Sequence, residues 1–89
     1  MNGQIRVLHV DDEPDFADMS GTYLERENDS FVVDTATSAA EGLELLAETE
    51  YNCVVSDYEM PGTDGIGFLE TVREEYGAVP FILFTGKGS

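Results

Sequence analysis

The sequence predicts an α/β protein built as a doubly wound parallel sheet, and three observations predict it. Short β-branched, apolar runs (Ile5 to Val10, Phe31 to Ala36, Tyr51 to Ser56, Phe81 to Phe84) alternate with stretches of helical periodicity, which argues for parallel strands joined by right-handed helical crossovers with helices on both faces. The first run is nearly all apolar, as a strand covered on both sides would be. Two of the runs stop at acids, Asp11-Asp12 and Asp57. That puts carboxylates at the carboxyl edge of the sheet, where open α/β folds place their chemistry.

The elements follow in order. Ile5 to Val10 is interrupted only by His9, which reads as a packed or edge histidine, since no neighbour in sequence suggests a metal or phosphoryl role. Asp11-Asp12-Glu13-Pro14-Asp15 opens a helix. Proline is tolerated in a first turn because its missing N–H has no partner there, and acids suit the positive end of the helix dipole. That helix runs from about Pro14 to Arg26, with Phe16, Met19 and Tyr23 on one face. Phe31 to Ala36 is less uniformly apolar and belongs nearer an edge. Ser38 stands three residues before Glu41, the spacing of a capping box, and the helix it starts reaches about Glu48, burying Ala40, Leu43, Leu46 and Ala47. Tyr51 to Ser56 is the central strand. Beyond the loop Pro61-Gly62-Thr63-Asp64-Gly65, the residues Ile66, Leu69, Val72, Arg73 and Tyr76 recur at helical spacing until Gly77 ends the helix. Phe81 to Phe84 is the last strand.

A chain of 89 residues holds one domain and one core, spanning 1–89. Four basic side chains, Arg6, Arg26, Arg73 and Lys87, face nineteen acidic ones, a formal net charge of −15. This balance argues against direct nucleic-acid binding, which needs clustered cations to replace phosphate counterions, and against anionic membranes. Most of the glutamates read as solvated helix faces. The overall excess implies a salt-loving source, such as a halophilic archaeon, because molar salt shortens the Debye length to about 3 Å and screens the self-repulsion. Cys53 is the single cysteine, reads as a small core hydrophobe and fits a reducing cytoplasm. The polar start Met1-Asn2-Gly3-Gln4 carries no apolar stretch of signal-peptide or membrane-span length. Phe81 to Phe84 would be a sticky edge if nothing covered it, so the sequence implies either more chain beyond Ser89 or a second copy forming a homodimer along that edge.

Carboxylates on neighbouring strand tips share one crevice. Two of them about 4 Å apart repel by roughly 4 kcal/mol at an effective dielectric near 20, so a group of three calls for a cation. Oxygen-only donors favour a hard ion, and Mg²⁺, commonly held by one or two carboxylates with waters and phosphate oxygens, fits. A carboxylate beside such an ion can attack phosphorus, and the product would be an aspartyl phosphate on Asp57.

Asp11-Asp12 after the first strand, Asp57 after the third, Met60-Pro61-Gly62 with Gly65 behind it, and Thr85 after the fourth resemble, together and in this order, the receiver domain of two-component response regulators. The resemblance covers essentially the whole chain. It implies a flavodoxin-like fold with strand order 2-1-3-4, the fifth strand being missing from this chain. It also implies Asp57 as phosphoacceptor, with Asp12, Asp57 and the backbone carbonyl of Glu59 as Mg²⁺ ligands and Asp11 acting through a metal-bound water. Thr85 would be the hydroxyl switch that relays the change. The implied partners are a histidine kinase and an output domain or downstream protein, and the domain is a signalling switch rather than an enzyme. Gly62 and Gly65 read as backbone-geometry residues. The family's site lysine lies at the end of the fifth strand, so Lys87, two residues past Thr85, does not take that role.

Two other classes remain open at this level. A Mg²⁺-dependent aspartyl-phosphate phosphatase shares the Asp nucleophile and sheet, but needs a second acid two residues on, usually Asp, for which Glu59 is a poor substitute, and a cap or lid for its substrate. A non-phosphorylated interaction module would keep the fold without the chemistry.

Overall fold

A computed structural model describes residues 4–13, 30–60 and 62–84. These form strand β1 (Ile5–Val10), β2 (Phe31–Ala36), helix α1 (Ala39–Glu48), β3 (Cys53–Asp57), helix α2 (Gly65–Tyr76) and β4 (Phe81–Phe84). The helix expected from Pro14 to Arg26 falls outside the described residues, as do Pro61 and Thr85.

All three strand pairings are parallel, and the order is β2-β1-β3-β4. The less apolar β2 is therefore an edge strand, as its composition suggests, and β4 forms the other edge. Val10 lies opposite both Ala36 and Ser56, and Asp57 opposite Phe84. One more step along this register brings Asp11 level with Asp57. Asp11 N–H prolongs the ladder by donating to Ala36 O at 3.0 Å, and Tyr58 N–H does the same to Phe84 O at 2.8 Å.

Strand alternation splits the sheet residues into two sets. Leu8, Val10, Ala36 and Val54 share a face with α1 and α2, and together with Phe68, Val72, Leu46, Tyr51 and Met60 they form the core. Phe68 is fully buried and meets the Phe81 ring edge-on at 5.5 Å. Burying such a side chain is worth about 2–3 kcal/mol. On the other face Val7 and His9 are buried, whereas Ile82 of the edge strand is 55% exposed.

The helix faces agree with the periodicity at Leu46 and Val72 and elsewhere differ from it by about one residue. In α1 the buried residues are Ala39, Gly42 and Leu46, with Ala40 and Ala47 exposed and Leu43 half-buried. Ser38 sets that phase: its Oγ accepts from Glu41 N–H at 3.1 Å. Glu41 reaches back one residue further than in a regular capping box, accepting from Thr37 N–H at 2.8 Å. A Cβ on Gly42 would meet the Phe68 ring at 3.0 Å, so this glycine lets the helix approach its neighbour closely. In α2 the buried face is Gly65, Phe68 and Val72, while Ile66 is exposed. Asp64 caps it by accepting from Gly67 N–H at 2.9 Å. Gly77 follows at φ +71°, the left-handed backbone that favours glycine.

Candidate metal centre

The carboxyl ends of β1 and β3 carry the predicted acids into one place. Asp11, Asp12 and Asp57 each offer a carboxylate oxygen, and these oxygens lie within 4.8 Å of one another. Asp11 and Asp57 are fully buried and Asp12 is half-buried. The spacing follows from the register, since neighbouring strands stand about 4.8 Å apart and Asp11 is level with Asp57.

Local hydrogen bonds fix the two tips. Asp11 Oδ1 accepts from Glu13 N–H at 2.9 Å, turning the chain just after β1. Asp57 Oδ1 accepts from Glu59 N–H in a longer contact of 3.4 Å, and buried Ser56 donates its hydroxyl to Asp57 O at 3.0 Å. Behind Asp57 the loop is closed by Gly65 N–H donating to Tyr58 O at 2.8 Å. A Cβ on Gly65 would stand 2.5 Å from Asp57 O, 2.6 Å from Leu83 Cδ1 and 2.9 Å from Tyr58 Cα. Glycine is required here because helix α2 starts against the backbone of the strand tip. Gly62 needs glycine for the other reason, a φ of +79°. Both glycines thus serve backbone geometry, as the sequence suggests.

The donor set is all oxygen, which suits a hard divalent ion of the Mg²⁺ class. The two described arginines belong to the opposite, amino-terminal edge of the sheet. Arg6 N–H donates to Asn52 Oδ1 at 2.8 Å and its guanidinium lies 3.9 Å from Asp34, while Arg73 bonds the carbonyls of Gly77 and Val79. At an effective dielectric near 20, each pair of carboxylates at this separation repels by about 3.5 kcal/mol, so the pocket favours a cation strongly.

Two contacts elsewhere in the sheet are not legible in the sequence. His9 packs its ring on Phe84 at 5.8 Å with the planes tilted by 56°, across the intervening strand. Tyr51, expected within a strand, is instead buried just before β3 and donates its hydroxyl to Asp34 Oδ2 at 2.7 Å. Burial, and then the adjacent Asp34 carboxylate, push the Tyr51 hydroxyl well above its ordinary pKa. Cys53 is half-buried, and burial raises its thiol pKa.

The sequence profile of the response regulator receiver domain family matches residues 7–89. The chain belongs to that family. Among curated relatives, this receiver domain is 38% identical over 85 residues to the transcriptional regulatory protein ResD of Bacillus subtilis, covering 96% of this chain and 34% of ResD. It is 34% identical over 82 residues to the regulatory protein VanR of Enterococcus faecium, covering 92% of this chain and 34% of VanR. The receiver domain thus spans about a third of the length of the curated relatives it matches. Among solved structures, the receiver domain of the Francisella response regulator 1452 superposes with a TM-score of 0.84 at 30% identity, over 97% of this chain and 69% of that one. The response regulator TrrA, crystallised in complex with the histidine kinase ThkA, gives 0.85 at 30% identity, over 97% and 72%. The parallel sheet of order 2-1-3-4 flanked by helices is that of receiver domains such as Vibrio cholerae CheY4, with a TM-score of 0.88 at 27% identity over 98% of this chain and 72% of that one. Receiver domains act in phosphorylation-based two-component signalling. No helix among the described residues is long and apolar enough to cross a membrane.

Proposed function

We propose that the chain is a phosphorylation-dependent switch in which Asp57 accepts a phosphoryl group from the phosphohistidine of a histidine kinase. The observation that carries this reading is the convergence of Asp11, Asp12 and Asp57 oxygens within 4.8 Å at two adjacent strand tips. Asp12, Asp57 and the backbone carbonyl of Glu59 would hold Mg²⁺, with Asp11 reaching it through a water. When bound, the ion supplies positive charge that offsets the carboxylates and the transferred group. In the transfer itself an Asp57 carboxylate oxygen forms the new P–O bond while the P–N bond to the histidine breaks, and the electron pair stays on the imidazole nitrogen. Asp57 is level with Phe84, the residue before Thr85. Thr85 would bond the new phosphoryl group and move the segment after β4, a local charge change with a distant readout.

The same reading extends to context. An output domain or a separate downstream protein would receive the signal, and the exposed edge of β4 is where further chain or a second copy would pair. The net charge of −15 fits a cytoplasm of high ionic strength. The test is incubation of the 89-residue chain with Mg²⁺ and a small acyl phosphate donor, followed by intact-mass analysis. One phosphoryl group should be added, abolished in Asp57→Asn and by chelation. Labelling that survives Asp57→Asn rejects the assignment.

A further inference from the structure

A cleft lies at the opposite edge of the sheet from the carboxylates. It is an open groove of about 600 Å³ between the last turn of α1 with the segment leading into β3, and the end of α2 with the segment leading into β4. Its apolar walls include Leu46, Val79 and Pro80, two tyrosines (Tyr51 and Tyr76) contribute to the lining, and Glu48 and Glu50 add carboxylates. A pocket of this size accommodates more than a single side chain.

The two helix ends beside it are treated differently. The negative end of α2 has its own cation, since Arg73 sits in the last turn and donates to the carbonyls of Gly77 and Val79 at 2.9 and 2.7 Å. The last turn of α1 has no basic residue. Glu48 closes it and Glu50 follows just past its cap, Thr49, placing like charge where a helix dipole disfavours it. Among the described residues neither acid makes a hydrogen bond or ion pair that would offset this placement, and a local rule broken without a compensating contact marks a candidate functional surface.

We infer that this cleft docks a basic, arginine-bearing peptide segment of a protein partner. The aliphatic stem of an arginine would lie along Leu46, Val79 and Pro80, and its guanidinium would meet Glu48, Glu50 and the α1 carbonyl end with a tyrosine face alongside. Asp57 lies five positions beyond Asn52 of this surface, a span of about 16 Å along β3, so a partner bound here leaves the carboxylate end of the domain open.

The test uses the 89-residue chain, a hexapeptide containing three arginines, and amide chemical shifts at 0.15 M KCl. Saturable shifts should centre on residues 46–52 and 76–80. Glu48→Gln/Glu50→Gln should weaken the peptide at least tenfold, whereas Glu70→Gln/Glu74→Gln, exposed acids of α2 away from the cleft, should leave affinity within twofold. The first double variant should melt at or above the parent, because it removes like charge from the negative helix end; a clearly lower melting temperature would show that the two acids serve the fold and would overturn the inference. Shifts spread evenly over the acidic helices, equal loss in both variants, or an equal response to ethylammonium, which would mark a small-amine pocket, would also overturn it.

Discussion

Replacing Asp57 by asparagine should stabilise the metal-free domain while removing its response to Mg²⁺. The side chain is isosteric, and its Oδ1 can still accept from Glu59 N–H, which stands 3.4 Å away in the parent. What changes is charge. Asp57 faces two other carboxylates with oxygens within 4.8 Å, and at an effective dielectric near 20 the two repulsions amount to about 7 kcal/mol before solvent screening and relaxation. Half-buried Asp12 is partly screened by solvent, and the chain relaxes, so a net gain of about 1–3 kcal/mol is the working expectation. For a domain of this size each kcal/mol moves the melting temperature by about 4–8 °C. In EDTA the variant should therefore melt at least about 5 °C above the parent. Adding Mg²⁺ at ten times its dissociation constant should raise the parent by about 1.4 kcal/mol and leave the variant almost unmoved. The assay is thermal denaturation followed by circular dichroism, with and without chelator. A variant that melts below the parent in EDTA, or that gains as much from Mg²⁺, would refute the argument that these carboxylates are held together at an electrostatic cost.

Gly65→Ala should cost about 1–3 kcal/mol and weaken Mg²⁺ binding, because its Cβ would stand 2.5 Å from Asp57 O and the strand tip would have to shift; unchanged melting and affinity would mean that the close approach is unimportant. Tyr51→Phe, which deletes the 2.7 Å bond to Asp34, should lower stability by about 1 kcal/mol at neutral pH. The raised folded-state pKa of Tyr51 means that its contribution is fully present below its ordinary value near 10 and fades as pH rises above that. Parent and variant stabilities should converge in that alkaline range, and curves that stay parallel would count against the raised pKa. Added KCl should raise the melting temperature between low and molar salt, as expected for a net charge of −15, and a flat or falling curve would reject the high-salt reading.

Strand positions were legible because hydrophobic runs and their terminating acids carry the signal directly. The spans of β1, β2 and β4 agree with the sequence runs, and β3 begins two residues later than its run. Sheet register then brings Asp11, Asp12 and Asp57 together, so the candidate site was readable from three strand-end acids. Helix faces were less legible. Periodicity favoured Ile66 as well as Val72 for the core, but the close approach at Gly65 and the Asp64 cap turn α2 so that Phe68, rather than Ile66, points inward beside Val72. Tyr51 read as strand because it is aromatic, whereas its hydroxyl is anchored by Asp34, seventeen residues earlier, a pairing that no local pattern encodes. The same holds for His9 against Phe84, which depends on strand order rather than on spacing.

The most direct measurement is titration of the isotopically labelled chain with Mn²⁺, reading paramagnetic broadening of individual amides. If one ion is shared by the three acids, the signals of residues 10–13 and 56–59 should vanish first, at substoichiometric Mn²⁺, and Asp57→Asn should restore them. Broadening that begins along the acidic faces of α1 and α2, or that persists unchanged in the asparagine variant, would contradict a common divalent site at the strand tips.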